Sequence, residues 1–254
     1  MICALTLMCL CVAGPPAGAQ ELRIAAASDL QAVFPRVAER FEAETGRHVA
    51  ATFGSSGNFF SQIQNGAPFD LFLSADADYP RRLVAAGLAF PNSYGYATGR
   101  LVVWVRKDAG LDVRAGLRAL VDPRVRRIAI ANPDHAPYGR AAVAALRHEG
   151  LYETVKGRLV LGENISQAAQ FVESGNADAG IIAWSLALAP ALRASGTYTE
   201  IPAAFHPPIQ QVAVVLTHSR DADAGRRFLA FLARPDIVRL LEEFGFTRPS
   251  SRGR

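Results

Sequence analysis

Four short segments of this chain repeat one design: an apolar run ends, a small polar or glycine-containing turn follows, and an amphipathic stretch begins. The first is Ala25-Ala26-Ala27-Ser28-Asp29, leading on from about Leu30. The second is Phe53-Gly54-Ser55-Ser56-Gly57-Asn58, ahead of Phe59–Gln64. The third runs from Asn132 through Pro137, Tyr138 and Gly139, ahead of Arg140–His148. The fourth is Gly162-Glu163-Asn164-Ile165-Ser166, ahead of Gln167–Ser174. A helix start leaves backbone N–H groups unpaired and carries about half a positive charge. Four of them would together amount to roughly two positive charges, enough to offset a dianion without lysine or arginine. Ser28, Ser56 and Tyr138 would add hydroxyl donors, which an oxyanion with only acceptor oxygens requires. Any one such turn reads equally well as an ordinary N-cap; the set of four points to a ligand.

Such turns converge only if the elements that carry them do. The expected strands are Leu22–Ala27, Val49–Gly54, Asp70–Ala75, Leu101–Arg106, Arg127–Ala131, Arg158–Leu161, Ala179–Trp184 and Gln211–Thr217. Amphipathic stretches at Gln31–Glu44, Arg140–His148 and Ala222–Ala233 alternate with them. In the first, Val33, Val37 and Phe41 recur at helical spacing while Arg36, Arg40 and Glu44 face outward. This alternation predicts an α/β architecture of mostly parallel sheets, whose strand-to-helix turns open on one edge. Turn signals at Pro91–Gly99 and Pro202–Pro208 bracket a middle block and predict two lobes: residues 20–98 with 210–254, and residues 99–209.

Residues 1–19 are read as a cleaved signal peptide. They carry no charge, run apolar through Ile2–Val12 and close on Ala17-Gly18-Ala19, a match to signal-peptidase specificity. The apolar run falls short of the ~20 residues that span a bilayer. Cys3, Cys9 and Cys11 all lie in this segment, so the remaining 235 residues would contain no thiol, disulfide or thiolate metal site. The 27 basic and 23 acidic residues give a mild net charge of +4, and the arginines form no block that would mark a nucleic-acid binder.

In their order and spacing these segments resemble the periplasmic molybdate-binding proteins of ABC transporters. The resemblance runs from Ile24 to Phe246. Its most specific pieces are Ala25–Leu30 and Gln62–Asp76, joined by Asn132–Gly139, Gly162–Ala168 and the closing Phe244-Gly245-Phe246. It implies a two-lobed periplasmic-binding-protein fold, with a ligand cleft between two mostly parallel, mixed sheets. The implied ligand is molybdate or tungstate, delivered to a membrane ABC permease by a monomeric receptor with no cofactor and no catalytic residue. Molybdenum would be held only as the oxyanion, through hydrogen bonds to its oxygens. The implied contacts are hydroxyl and backbone N–H at Ser28 and Ser56, and backbone N–H at Tyr138 and Ile165. Asp29 would present its backbone N–H while its side chain turns away, as befits an acid at a helix start. One position departs: several family members place a ligand-reaching tyrosine where this chain has Ala183. Two replacements are open, a Tyr138 hydroxyl that fills the missing donor position, or a Tyr138 ring that only lids the cleft.

Other readings are weaker. Sulfate or phosphate would suit the same donors. An exported hydrolase with Ser56 as nucleophile would need a base within hydrogen-bond reach, and His135 is the nearest candidate, although a solvated loop position suits that histidine. G-x-S-x-G is absent because the second glycine falls at Gly57. No nucleotide-binding glycine motif occurs, and the five histidines show no metal-ligand spacing. A cytosolic ligand-sensing domain would conflict with the export segment. Asp70 and Asp76 are expected to accept backbone N–H groups, and Trp104 and Trp184 to serve the core.

Overall fold

The computed structural model describes residues 21–249. Its ten strands divide into two five-stranded sheets. The first contains β1 (Leu22–Ala27), β2 (Val49–Gly54), β3 (Leu71–Ser74), β4 (Tyr94–Gly99) and β10 (Ile209–Val215), in the order β2-β1-β3-β10-β4. The second contains β5 (Leu101–Arg106), β6 (Ile128–Ala131), β7 (Leu159–Gly162), β8 (Ala179–Ala183) and β9 (Gly196–Glu200), in the order β7-β6-β8-β5-β9. In each sheet four strands run one way and one runs against them: β10, between β3 and β4, in the first, and β5, between β8 and β9, in the second. The chain therefore has the predicted α/β, two-lobed architecture of mixed, mostly parallel sheets.

The helices cover the sheets. With the first sheet go α1 (Phe34–Thr45), α2 (Ser56–Gln64), α3 (Asp78–Ala85) and, after the chain returns, α9 (Ala222–Leu232) and α10 (Pro235–Glu243). With the second go α4 (Pro137–His148), α5 (Tyr152–Val155), α6 (Ile165–Glu173), α7 (Trp184–Ala187) and α8 (Pro190–Ser195). The periodicity read in α1 holds: Val33, Val37 and Phe41 are buried, and Phe41 meets Phe228 of α9 edge-on at 5.0 Å between ring centres. The second lobe has one continuous core, which also takes in Ala27 and Ala75 from the strand ends of the first. Trp104 is fully buried there, as expected, whereas Trp184 is only half-buried, under the Arg100 guanidinium.

Two strands were not foreseen. Tyr94–Gly99, read as turn because of its glycines and the nearby Pro91, pairs with β10 as an edge strand. Gly196–Glu200 pairs with β5 at the edge of the second sheet, and Gly196 lies so close to Trp104 that a β-carbon there would stand 2.0 Å from the indole. The chain passes between lobes at Gly99–Arg100–Leu101 and again through the segment before Ile209.

Candidate functional site

β1 and β2 are adjacent and parallel, so their carboxyl ends deliver Ser28 and Ser56 side by side. β6 and β7 are likewise adjacent and parallel, and they deliver the turns before Tyr138 and Ile165. The two edges face each other, and all five predicted residues, Ser28, Asp29, Ser56, Tyr138 and Ile165, line one small pocket between the lobes. No basic side chain lines it. A roomier groove of about 600 Å³ lies beside Phe90 and Leu229, but it gathers none of the four turns.

The local chemistry differs from turn to turn. α2 starts at Ser56, capped by the Ser55 hydroxyl, which accepts the Asn58 N–H at 3.3 Å. α6 starts at Ile165, capped by Asn164 Oδ1, which accepts the N–H groups of Ser166 and Gln167 at 3.1 and 3.0 Å. α4 starts at Pro137, a residue suited to a first helical turn because it has no N–H to leave unpaired. The first turn departs from expectation. Ser28–Leu30 is one turn of 3-10 helix, and the α-helix proper begins only at Phe34. Three α-helix starts, not four, therefore aim their partial charges at the pocket, and Ser28 contributes from a tighter turn.

Ser28 and Ser56 are both buried. The Ser56 hydroxyl oxygen accepts the Ala75 N–H at 2.9 Å, and that of Ser28 accepts the Ser166 N–H at 3.4 Å across the cleft. Each hydroxyl is thus oriented by an incoming N–H, leaving its own hydrogen for another acceptor.

Tyr138 and Asp29 meet each other across the cleft. The Tyr138 hydroxyl donates to Asp29 Oδ2 at 2.9 Å, so it is spent on the opposite lobe and does not fill a donor position over the pocket. The ring is buried and lines the pocket. The Asp29 side chain is packed between the lobes and not in solvent. It has no exposed surface, and the same Oδ2 also accepts the Gln211 amide at 2.8 Å. The Ser185 hydroxyl donates to the Asp29 main-chain carbonyl at 2.7 Å. The other carboxyl oxygen, Oδ1, is buried without a hydrogen-bond partner. Burial pushes the Asp29 carboxyl up to about 7, against the lowering pull of its Tyr138 and Gln211 hydrogen bonds. Burial, followed by the charge of Asp29, also raises Tyr138 and Tyr96, which stay neutral phenols.

At the rim, His135 is held between the lobes and is not a solvated loop residue. Its Nδ1 lies 2.9 Å from the Ser55 hydroxyl and its Nε2 3.6 Å from Glu163. The hydroxyl it meets belongs to Ser55; Ser56 takes the Ala75 N–H instead, so the base that a Ser56 nucleophile would need is engaged elsewhere. Asp70 and Asp76 behave as read, accepting backbone N–H groups from Arg23 and Tyr79. Asp76 also pairs with Arg140 of the facing lobe. Among the described residues, no group of histidine, cysteine and acidic side chains could hold a metal ion. Sequence reasoning did not single out Gln211, Ser185 or Gly99. A β-carbon on Gly99 would stand 2.1 Å from the Tyr138 hydroxyl, so only glycine leaves that phenol its place.

The profile of the bacterial extracellular solute-binding proteins matches residues 22–247. The chain belongs to that family. Within it, this solute-binding protein is 38% identical to the molybdate-binding protein ModA of Azotobacter vinelandii, over 91% of each chain. It is 36% identical to the ModA of Rhodobacter capsulatus, over 91% of this chain and 90% of that one. The solved periplasmic molybdate-binding protein of Azotobacter vinelandii superposes with a TM-score of 0.84 at 32% identity, covering 90% of this chain and all of that one. The chain's likeness to these molybdate-binding proteins thus runs over nearly its whole length.

Proposed function

We propose that this solute-binding protein captures molybdate, or tungstate, and hands it to a membrane ABC permease. The observation that carries this reading is the pocket: hydroxyls and helix starts from two lobes converge on one buried point, and no cation is among its lining residues. Such a site holds a fully deprotonated tetrahedral dianion by donors alone. In this reading Ser28 and Ser56 give hydroxyl and backbone N–H bonds, and Asp29, Tyr138 and Ile165 give backbone N–H bonds. The ligand cleft divides residues 20–98 and 210–254 from residues 99–209. The mature protein acts as a periplasmic monomer, freed of its signal peptide near Ala19, with no role for nucleic acid.

Calorimetric titration of the mature protein with molybdate, tungstate, sulfate and phosphate tests the assignment. Tight binding of the first two, with little heat from the others, is the expected result. Preference for sulfate or phosphate would transfer the protein to another oxyanion.

A further inference from the structure

Asp29 is the one acidic residue among those that line the pocket, and its wholly buried carboxyl has surroundings that are unusual for a carboxylate. The groups that face it are the phenols of Tyr138 and Tyr96 and the Gln211 amide; none is a cation. Oδ2 collects two donors, one from each lobe, while Oδ1 collects none. A dianion bound at Ser28, the adjoining residue, would repel a charged carboxylate there. A protonated Oδ1 removes that repulsion. It also leaves the unpartnered oxygen uncharged, which lowers the cost of burying it without a donor.

Resting on the oxyanion reading above, we propose that the protein takes up one proton from solvent as it closes on its anion, and that this proton resides on Oδ1 of Asp29. Opening the lobes withdraws Tyr138, admits water, and lets the carboxyl ionise. In the closed form the carboxyl sits at about 7, against an ordinary value of 3.8. Within that window the closed form carries a proton that the open form lacks. Closure is therefore favoured at the acid end, and the advantage is lost as pH rises through about 7. The charge of the bound dianion extends the window upward.

The test is calorimetry with micromolar molybdate at pH 5.5 to 7.5, in pairs of buffers with different ionisation enthalpies. The wild-type protein should take up about one proton per anion near pH 6, and its affinity should fall by up to about tenfold per pH unit. Asp29→Asn keeps an oxygen for Tyr138 and Gln211 and puts a permanent N–H₂ donor beside it. It should bind with little pH dependence and no proton uptake. His135→Gln removes the imidazole that meets the Ser55 hydroxyl across the cleft and should leave the wild-type proton count in place. Zero proton uptake by the wild type, or an Asp29→Asn variant that keeps the wild-type slope, overturns the proposal. Pronounced but pH-independent molybdate binding would overturn it while leaving the receptor reading intact. Absence of heat with every anion would overturn both.

Discussion

Gly99 offers the sharpest perturbation of the inter-lobe geometry. Its backbone has no positive φ, so alanine meets no conformational penalty there, and the whole effect comes from space. The added β-carbon would lie 2.1 Å from the Tyr138 hydroxyl, 2.9 Å from the ring carbon that bears it and 3.0 Å from the Gln211 amide nitrogen. The hydroxyl must move, which breaks its bond to Asp29. Losing one hydrogen bond costs about 1 kcal/mol, and overpacking a buried site costs a further ~1–3 kcal/mol. Gly99→Ala should therefore weaken the closed form by roughly 2–4 kcal/mol, about thirtyfold to several hundredfold in molybdate affinity. Because the hydroxyl oxygen makes the tightest contact, Tyr138→Phe in the Gly99→Ala background should recover part of the loss. Calorimetry on the two single variants and the double variant reads this directly. A Gly99→Ala protein within threefold of wild type, or a double variant worse than Gly99→Ala alone, would refute the reasoning.

Ser28→Ala and Ser56→Ala should each weaken molybdate binding by ~1.5–3 kcal/mol, the range for hydrogen bonds to charged groups, measured by titration at fixed pH and salt. Arg140→Ala removes a partly exposed pair with Asp76 and should cost no more than ~1 kcal/mol, with any change in association rate shrinking as salt rises. Ile165→Pro tests backbone donation: Ile165 opens α6 and Asn164 before it is already extended, so proline fits the helix start and deletes one N–H. Compared with Ile165→Ala, it should lose a further tenfold or more in affinity while the ligand-free proteins melt alike. Molybdate at ~100 times its dissociation constant should stabilise the wild type by about 2.7 kcal/mol in thermal unfolding; an unmoved midpoint in anion-free protein would count against the assignment.

What the sequence made legible was what local pattern controls. The alternation of apolar runs and amphipathic stretches gave eight of the strands, and the N-cap chemistry at Ser55 and Asn164 marked two of the helix starts. β4 escaped because its glycines serve distant partners: Gly99 makes room for a phenol from the other lobe, and its neighbours on β10 are more than 100 residues away. β9 escaped for a similar reason, since Gly196 reads as a break until Trp104 is seen against it. The set of pocket residues could be proposed from four repeated turns. The state of Asp29 could not, because an acid at a helix start usually faces water, and the groups that bury it stand 109 and 182 positions along the chain.

The strand order of the first sheet has a consequence for how the chain acquires its shape. β10 lies between β3 and β4, although it is made more than a hundred residues after them. As the polypeptide emerges from its amino end, the first lobe is left with a gap in its middle, and the edges of β3 and β4 stay unsatisfied. The second lobe has no such gap, because β5 to β9 arrive in one uninterrupted stretch. It can assemble while the first lobe still waits for its last strand, and exposed strand edges are where wrong pairing begins. Chain release, and not the synthesis of the early turns, therefore sets the moment at which both jaws exist. Truncations that stop short of Ile209 should yield a sound second lobe joined to an aggregation-prone remnant of the first.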